Sequence, residues 1–302
     1  MTKVLHPSEL MMNESLRKTL SDLESLSPFE RRLKLKPSLN QRFFYKYRPL
    51  KEVQHINRLR DYLIESRFWL SSPRSFNDPF DMTFCLEFEG SPQEKRKRLE
   101  VLYKERISRK DAARRNALVS KQLHRSDELL AEIRQTYETH IAKSGVCSLT
   151  EDPRNILMWS HYASDHSGVC LQFEAIQDVV TFTMAALVTY GGNYPRINWA
   201  DHTSSEIATK QIREVLTCKY QDWVYEKEHR IVIPDAATKY LSFSATALTG
   251  IILGCEITEP HEGDVRELLE ERITKGFPAV KIYKAQRHSE KYQLRLIADQ
   301  NA

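Results

Sequence analysis

Cysteine is scarce in this 302-residue chain and widely scattered: Cys85, Cys147, Cys170, Cys218 and Cys255, an odd count with no Cys-x-x-Cys pair. That spacing argues against a disulfide framework and a thiolate zinc site, and fits reduced thiols in a cytoplasmic protein. No apolar run approaches the ~20 residues of a membrane span, so no membrane partner is expected. No long apolar segment comes after the first basic residue, so a signal peptide is not indicated. Gly-x-Gly-x-x-Gly, a Walker loop and Gly-x-Ser-x-Gly are all missing, which removes Rossmann binding, P-loop chemistry and a hydrolase elbow. There is no internal repeat and no low-complexity linker.

The residues present are those of a globular protein with a sizeable core: 41% are hydrophobic and 10% aromatic. A net charge of +4 permits an anionic ligand without demanding nucleic acid. The most informative stretch is Phe68 to Asp81, FWLSSPRSFNDPFD. Its aromatic-aliphatic start favours a strand, which Pro73 ends. Ser75-Phe76-Asn77-Asp78-Pro79 is turn chemistry, because Asn and Asp tie back to the backbone and Pro fixes φ. Phe76 and Phe80 are placed to anchor the loop in a core, holding polar groups still; the plain alternative is a surface turn.

Residues 1–40 read as a helical arm that packs loosely or against a partner. Leu16, Leu20, Leu23 and Leu26 predict a short amphipathic helix capped by Asn13, and Pro28 and Pro37 break the chain after it. Residues 41–300 read as one α+β domain with a mixed or antiparallel sheet. Its predicted elements are strand 42–48, helix 51–66, strand 68–71, strands within 145–149 and at 168–173, a helix opened by Asp152-Pro153 and running to Ala163, and short strand 188–190. Further along come a helix at 204–217, a strongly alternating strand 223–233, strand 248–253, helix 264–273, and strands 280–283 and 292–297. A charged helical insertion at about 91–143, of two helices, interrupts the domain. Between Ser91 and Arg125 stand twelve Lys or Arg and four Asp or Glu. That face could contact phosphates; without interleaved aromatics, a solvated surface is the simpler reading.

Three constellations could carry chemistry. Within Asn155–His166 the helical spacing makes Trp159 and Tyr162 neighbours and allows His161 to pair with Asp165. The two histidines lack the spacing and the glutamate of a zinc helix, so no metal is expected. On the alternating strand, Glu226, Glu228 and Arg230 share one face, costly unless they line a cleft or form a salt bridge. Arg48, at a strand end before Pro49 and after Tyr45, could grip a phosphate or carboxylate, or simply pair with a neighbouring acid.

YKYR at 45–48, FWLSSPRSFNDPFD at 68–81, MWSHYASDHSGVCLQF at 158–173 and WVYEKEHRI at 223–231 resemble the bacterial domain of unknown function 2971. The chain is also similar to mono-ADP-ribosyltransferases in motif order: Arg48, then Ser71-Ser72, then Glu226-Lys227-Glu228. Here the serine motif is Ser-Ser-Pro where that family has Ser-x-Ser. This similarity implies an ADP-ribosyltransferase-like fold and NAD as substrate, for ADP-ribose transfer or hydrolysis of the glycosidic bond. Glu228 would be the key carboxylate, Glu226 its helper and Ser71 the positioning hydroxyl. Arg48 would clamp the pyrophosphate, Trp159 or Tyr162 would stack on nicotinamide, and Tyr45, Ser72, Asn77, Asp78 and His161 would line the nucleotide site. The partners implied are a nucleotide-type small molecule and a protein or nucleic-acid acceptor. The alternatives are a nucleic-acid-binding or metal-dependent nuclease-type protein, using the basic helices and acids such as Asp78 and Asp81, and a non-catalytic partner-binding module.

Overall fold

The computed structural model describes residues 2–10, 18, 22–23, 25–28, 30–31, 42–108, 111–123, 126–202 and 204–299. The predicted leucine-faced helix and its Asn13 cap fall largely outside them. The chain divides into two compact units. One comprises Met1–Ser71, Gly145–Val188 and Asp222–Ala302; the other comprises Ser72–Ser144 and Thr189–Gln221.

The first unit is built from β1 (Phe43–Arg48), α1 (Val53–Leu63), β2 (Arg67–Leu70), β3 (Gly145–Thr150), α2 (Ile156–Tyr162), β4 (Val169–Glu174) and β5 (Ala185–Leu187). It continues with β6 (Glu228–Ile233), β7 (Lys239–Ser242), β8 (Leu248–Leu253), α3 (Glu259–Thr274), β9 (Lys281–Arg287) and β10 (Leu294–Ala298). Eight strands form one mixed sheet in the order β10-β9-β8-β4-β1-β3-β6-β5. Only β8 and β9 run parallel among these pairs, so the α+β expectation holds.

Alternation gives this sheet two different faces. On one, Phe44, Cys147, Leu149, Ile231, Leu171, Phe173 and Ile251 join the main core, with Leu59, Tyr62 and Leu63 of α1. The rings of Phe44 and Phe182 stack at 5.4 Å, and Phe68 lies 4.5 Å from Phe243. Arg272 of α3 is also fully buried there, because its guanidinium donates to three backbone carbonyls, Pro278, Leu63 and Ala245. On the other face Tyr47, Cys170 and Ile252 pack against Met158 and Trp159 of α2.

Val4–Leu5 pairs in parallel with β7, which pairs antiparallel with β2. Leu23 is buried against Ile176, Val179 and Val180. The described part of the first 40 residues is thus docked in this unit, because its leucines find apolar partners. The second unit holds helices Pro92–Arg106, Ala112–Leu123, Ser126–Lys143 and Ser205–Leu216. The charged region therefore makes three helices rather than two. Phe84 meets Tyr137 at 5.8 Å and Phe88 meets Trp199 at 5.0 Å in its core.

Ser164, Asp165 and His166 come after α2 with φ of 50°, 52° and 69°. Three left-handed side-chain-bearing residues cost roughly 1–2 kcal/mol each. They persist because Gly254 lets two backbones meet: a Cβ there would lie 2.0 Å from the His166 carbonyl oxygen. We predict that Gly254→Ala lowers stability by about 1–3 kcal/mol or more, read as a fall in the urea midpoint; an unchanged midpoint would mean the turn can retreat freely.

Candidate functional site

The candidate site is built around Thr150, the last residue of β3. Tyr45 of β1 stands opposite it on one side and Glu228 of β6 on the other. The Thr150 hydroxyl donates to the Glu226 carbonyl at 2.5 Å. Glu226 itself is not on the strand. Residues Gln221–Glu226 form a 3-10 segment, and Lys227 turns the chain with φ 44°. The apparent continuous alternation from Trp223 to Ile233 is therefore broken, and β6 starts only at Glu228.

Asn155 fixes α2 beside this turn. Its side-chain oxygen accepts from the amides of Leu157 and Met158, and its amide donates to the Tyr225 carbonyl at 2.9 Å. At the other end of the short helix Tyr162 donates to the Glu226 carboxylate at 2.7 Å. Glu226 is almost fully buried. His161 is exposed, with the rings of Trp223 and Tyr225 at 6.4 and 6.5 Å. Trp159 is no stacking surface: it is fully buried, edge-on to Tyr47 at 5.2 Å, and donates to the Pro153 carbonyl. His161 does not pair with Asp165 either. The helix ends at Tyr162, and Asp165 binds Lys51 at 2.6 Å instead, which holds its carboxyl below the usual range.

Glu228 and Arg230 form a two-bonded ion pair, with the guanidinium Nε and Nη2 donating at 2.8 and 2.9 Å. Both side chains are buried. Such a pair is weak as net stabilisation, but removing one partner strands a buried charge. The strand pattern also separates Arg48 from it. His229 packs edge-on to Phe44 on the core face, so Glu228 and Arg230 point to the opposite face. Arg48 shares the face of Phe44 and lies 5.7 Å from the Tyr62 ring. Arg48 and the Glu228–Arg230 pair therefore belong to opposite faces of the sheet, although both Arg48 and Glu228 influence the Cys147 thiol, whose pKa burial raises.

The serine and loop residues are engaged elsewhere. Ser71 bridges Val146 of β3 through its backbone. Ser72, Asn77 and Asp78 belong to the second unit. Ser72 donates to the Ala142 carbonyl and caps the turn Pro73–Ser75. Asp78 accepts from the Phe80 amide, Asn77 is exposed, and Phe80 is 64% exposed rather than a core anchor. In the basic run, Lys95 and Arg98 lie over Phe88 and Trp199 at 5.4 and 4.3 Å, and Arg96 pairs with Glu100. Among the described residues no three His, Cys, Asp or Glu side chains group to hold a metal ion.

Burial marks the tyrosines of the site. It pushes the Tyr45 phenol up to about 12 against the opposing pull of Arg154, and it raises Tyr47 further. Burial and then the Glu226 charge raise Tyr225. Sequence reasoning missed Thr150, Asn155 and Arg154. The capping preference of Asn before an apolar run was the one signal available. Two outcomes are predicted. Spectrophotometric titration of wild type against Tyr45→Phe will remove an ionisation near pH 12; loss of one near the ordinary phenol range would contradict the burial. Tyr162→Phe, which leaves the Glu226 carboxylate short of a donor, will cost about 1–3 kcal/mol in urea unfolding; no change would show that Glu226 does not depend on it.

No helix among the described residues is long and apolar enough to cross a membrane. No curated protein and no solved structure matches the chain. Residues 158–231 match a family model described as Protein of unknown function (DUF2971), and they run from Met158 through Trp159, Tyr162 and Glu226 to the Glu228–Arg230 pair. Over that segment the chain is similar to the DUF2971 family.

Proposed function

We propose that the protein is an NAD-using enzyme with an ADP-ribosyltransferase-like fold, and that Glu226 rather than Glu228 is its acting carboxylate. The observation that carries this reading is the buried Glu226 carboxylate held by Tyr162 at 2.7 Å beside the Trp223 and Tyr225 rings. A carboxylate so fixed is suited to accept a ribose hydroxyl and to stabilise positive charge growing at the anomeric carbon as nicotinamide leaves. Partly exposed rings suit a flat leaving group. Breaking the C–N bond sends its electron pair to nicotinamide, which leaves neutral, and an acceptor hydroxyl or water then bonds to the carbon through an oxygen lone pair and loses its proton to solvent.

Further support comes from the way the three motif positions adjoin one strand. Arg48 ends β1, which pairs with β3; Ser71 bridges Val146 within β3; Glu228 pairs with Thr150 at its end. The residue roles nonetheless shift. Glu228 is committed to Arg230, and Arg48 lies across the sheet, so the clamp passes to Arg154, an exposed cation that acts on the Tyr45 phenol from the same face as Glu228.

The test is nicotinamide release from NAD, with water, protein and nucleic acid offered in turn. Glu226→Gln is expected to reduce release by about 10²–10³-fold, Arg154→Gln to raise KM, and Arg48→Gln to change neither. No release by wild type with any acceptor, or release undiminished in Glu226→Gln, overturns the reading.

A further inference from the structure

A cavity of about 580 Å³ opens on the first unit between the left-handed turn after α2, the turn after β8 and the loop joining β9 to β10. The Glu226 reading does not use it. His166, Cys255, Glu256 and Arg287 line it, with Ile156 and Leu294 as apolar wall.

The walls are fixed. His166 is the third of the three left-handed residues, its ring lies parallel to Trp159 at 6.5 Å, and its carbonyl accepts from the Glu256 amide at 3.1 Å. Its Nδ1 is buried with no hydrogen-bond partner among the described residues. A buried polar atom left so costs about 1–3 kcal/mol. Burial also lowers the imidazole pKa, so the ring is neutral near pH 7.

The charges define the ligand. Glu256 and Arg287 meet at only 3.5 Å, with side chains 51% and 78% exposed. An open pair of this kind contributes about 0–1 kcal/mol and is readily exchanged. A simple anion taking Arg287 would leave the Glu256 carboxylate without its partner, and a simple amine would do the same to Arg287. A ligand carrying both charges satisfies both. The remaining lining charges, Glu290 and Lys291, also balance.

We propose that this cavity binds a small zwitterion of the α-amino-acid class, with its ammonium on Glu256, its carboxylate on Arg287 and its side chain toward Ile156 and Leu294.

Cys255 lies in the wall as a partly buried free thiol and serves as reporter. The protein is treated with iodoacetamide, and alkylation of the Cys255 peptide is monitored by mass spectrometry with L-leucine or L-phenylalanine present. Isoamylamine and 4-methylpentanoate, which carry one charge each, are the controls. The proposal predicts roughly tenfold slower alkylation at ten times Kd for an amino acid, with far weaker protection by either control. Glu256→Gln and Arg287→Gln should each abolish the protection. Calorimetric titration with the same four compounds gives the answer independently if Cys255 reacts too slowly. Equal protection by 4-methylpentanoate, protection that survives both substitutions, or no binding up to about 10 mM overturns it. Neither result bears on nicotinamide release.

Discussion

The buried pair between Glu228 and Arg230 is the interaction on which the candidate site depends. Two charges two residues apart on one strand are removed from water together, and each stabilises the other there through two hydrogen bonds. The pair occupies the sheet face that also carries Thr150 and Tyr45. It leaves Glu226, on the preceding turn, as the acid facing Tyr162. One salt bridge thus decides which of two neighbouring glutamates is committed to structure.

Strand alternation supplies the second constraint. Because β1, β3 and β6 are neighbours, any residue on them is assigned a face by its parity. Phe44 and His229 share the core face, so Arg48 joins them there and Glu228 does not. A guanidinium and a carboxylate from adjacent parts of the sheet can both influence Cys147 and still open to different sides. Chain order alone carries no such information, which is why an Arg–Ser–Glu order read along the sequence suggested a convergence that the sheet does not make.

Much of the framework was legible. The aromatic run before Pro49, the helix expected over 51–66 and the apolar stretch 248–253 announced β1, α1 and β8, because each has one strong period and a clear stop. The region 223–233 misled, since alternating residue types persisted across a turn whose break is the left-handed Lys227. The pairing of His161 with Asp165 failed for a related reason: α2 ends at Tyr162, and the left-handed Ser164–His166 segment carries Asp165 off the helix. Three-residue strands such as Cys85–Glu87 and Arg196–Asn198 pair in parallel across a long separation and leave no local pattern. Phe80 was read as an anchor because it is aromatic, yet apolar side chains do occur at the surface.

Glu228 is paired with Arg230, and in the function proposed above Glu226 is the acting carboxylate. A double-mutant cycle of Glu228→Gln and Arg230→Met, read by urea unfolding, tests the pairing most directly. Either single change should cost about 3–5 kcal/mol, and the pair together should recover a coupling of about 2–3 kcal/mol. A coupling below about 0.5 kcal/mol, with Glu228→Gln nearly neutral, would show that Glu228 is not held by Arg230 and would return it to candidacy as the acting acid.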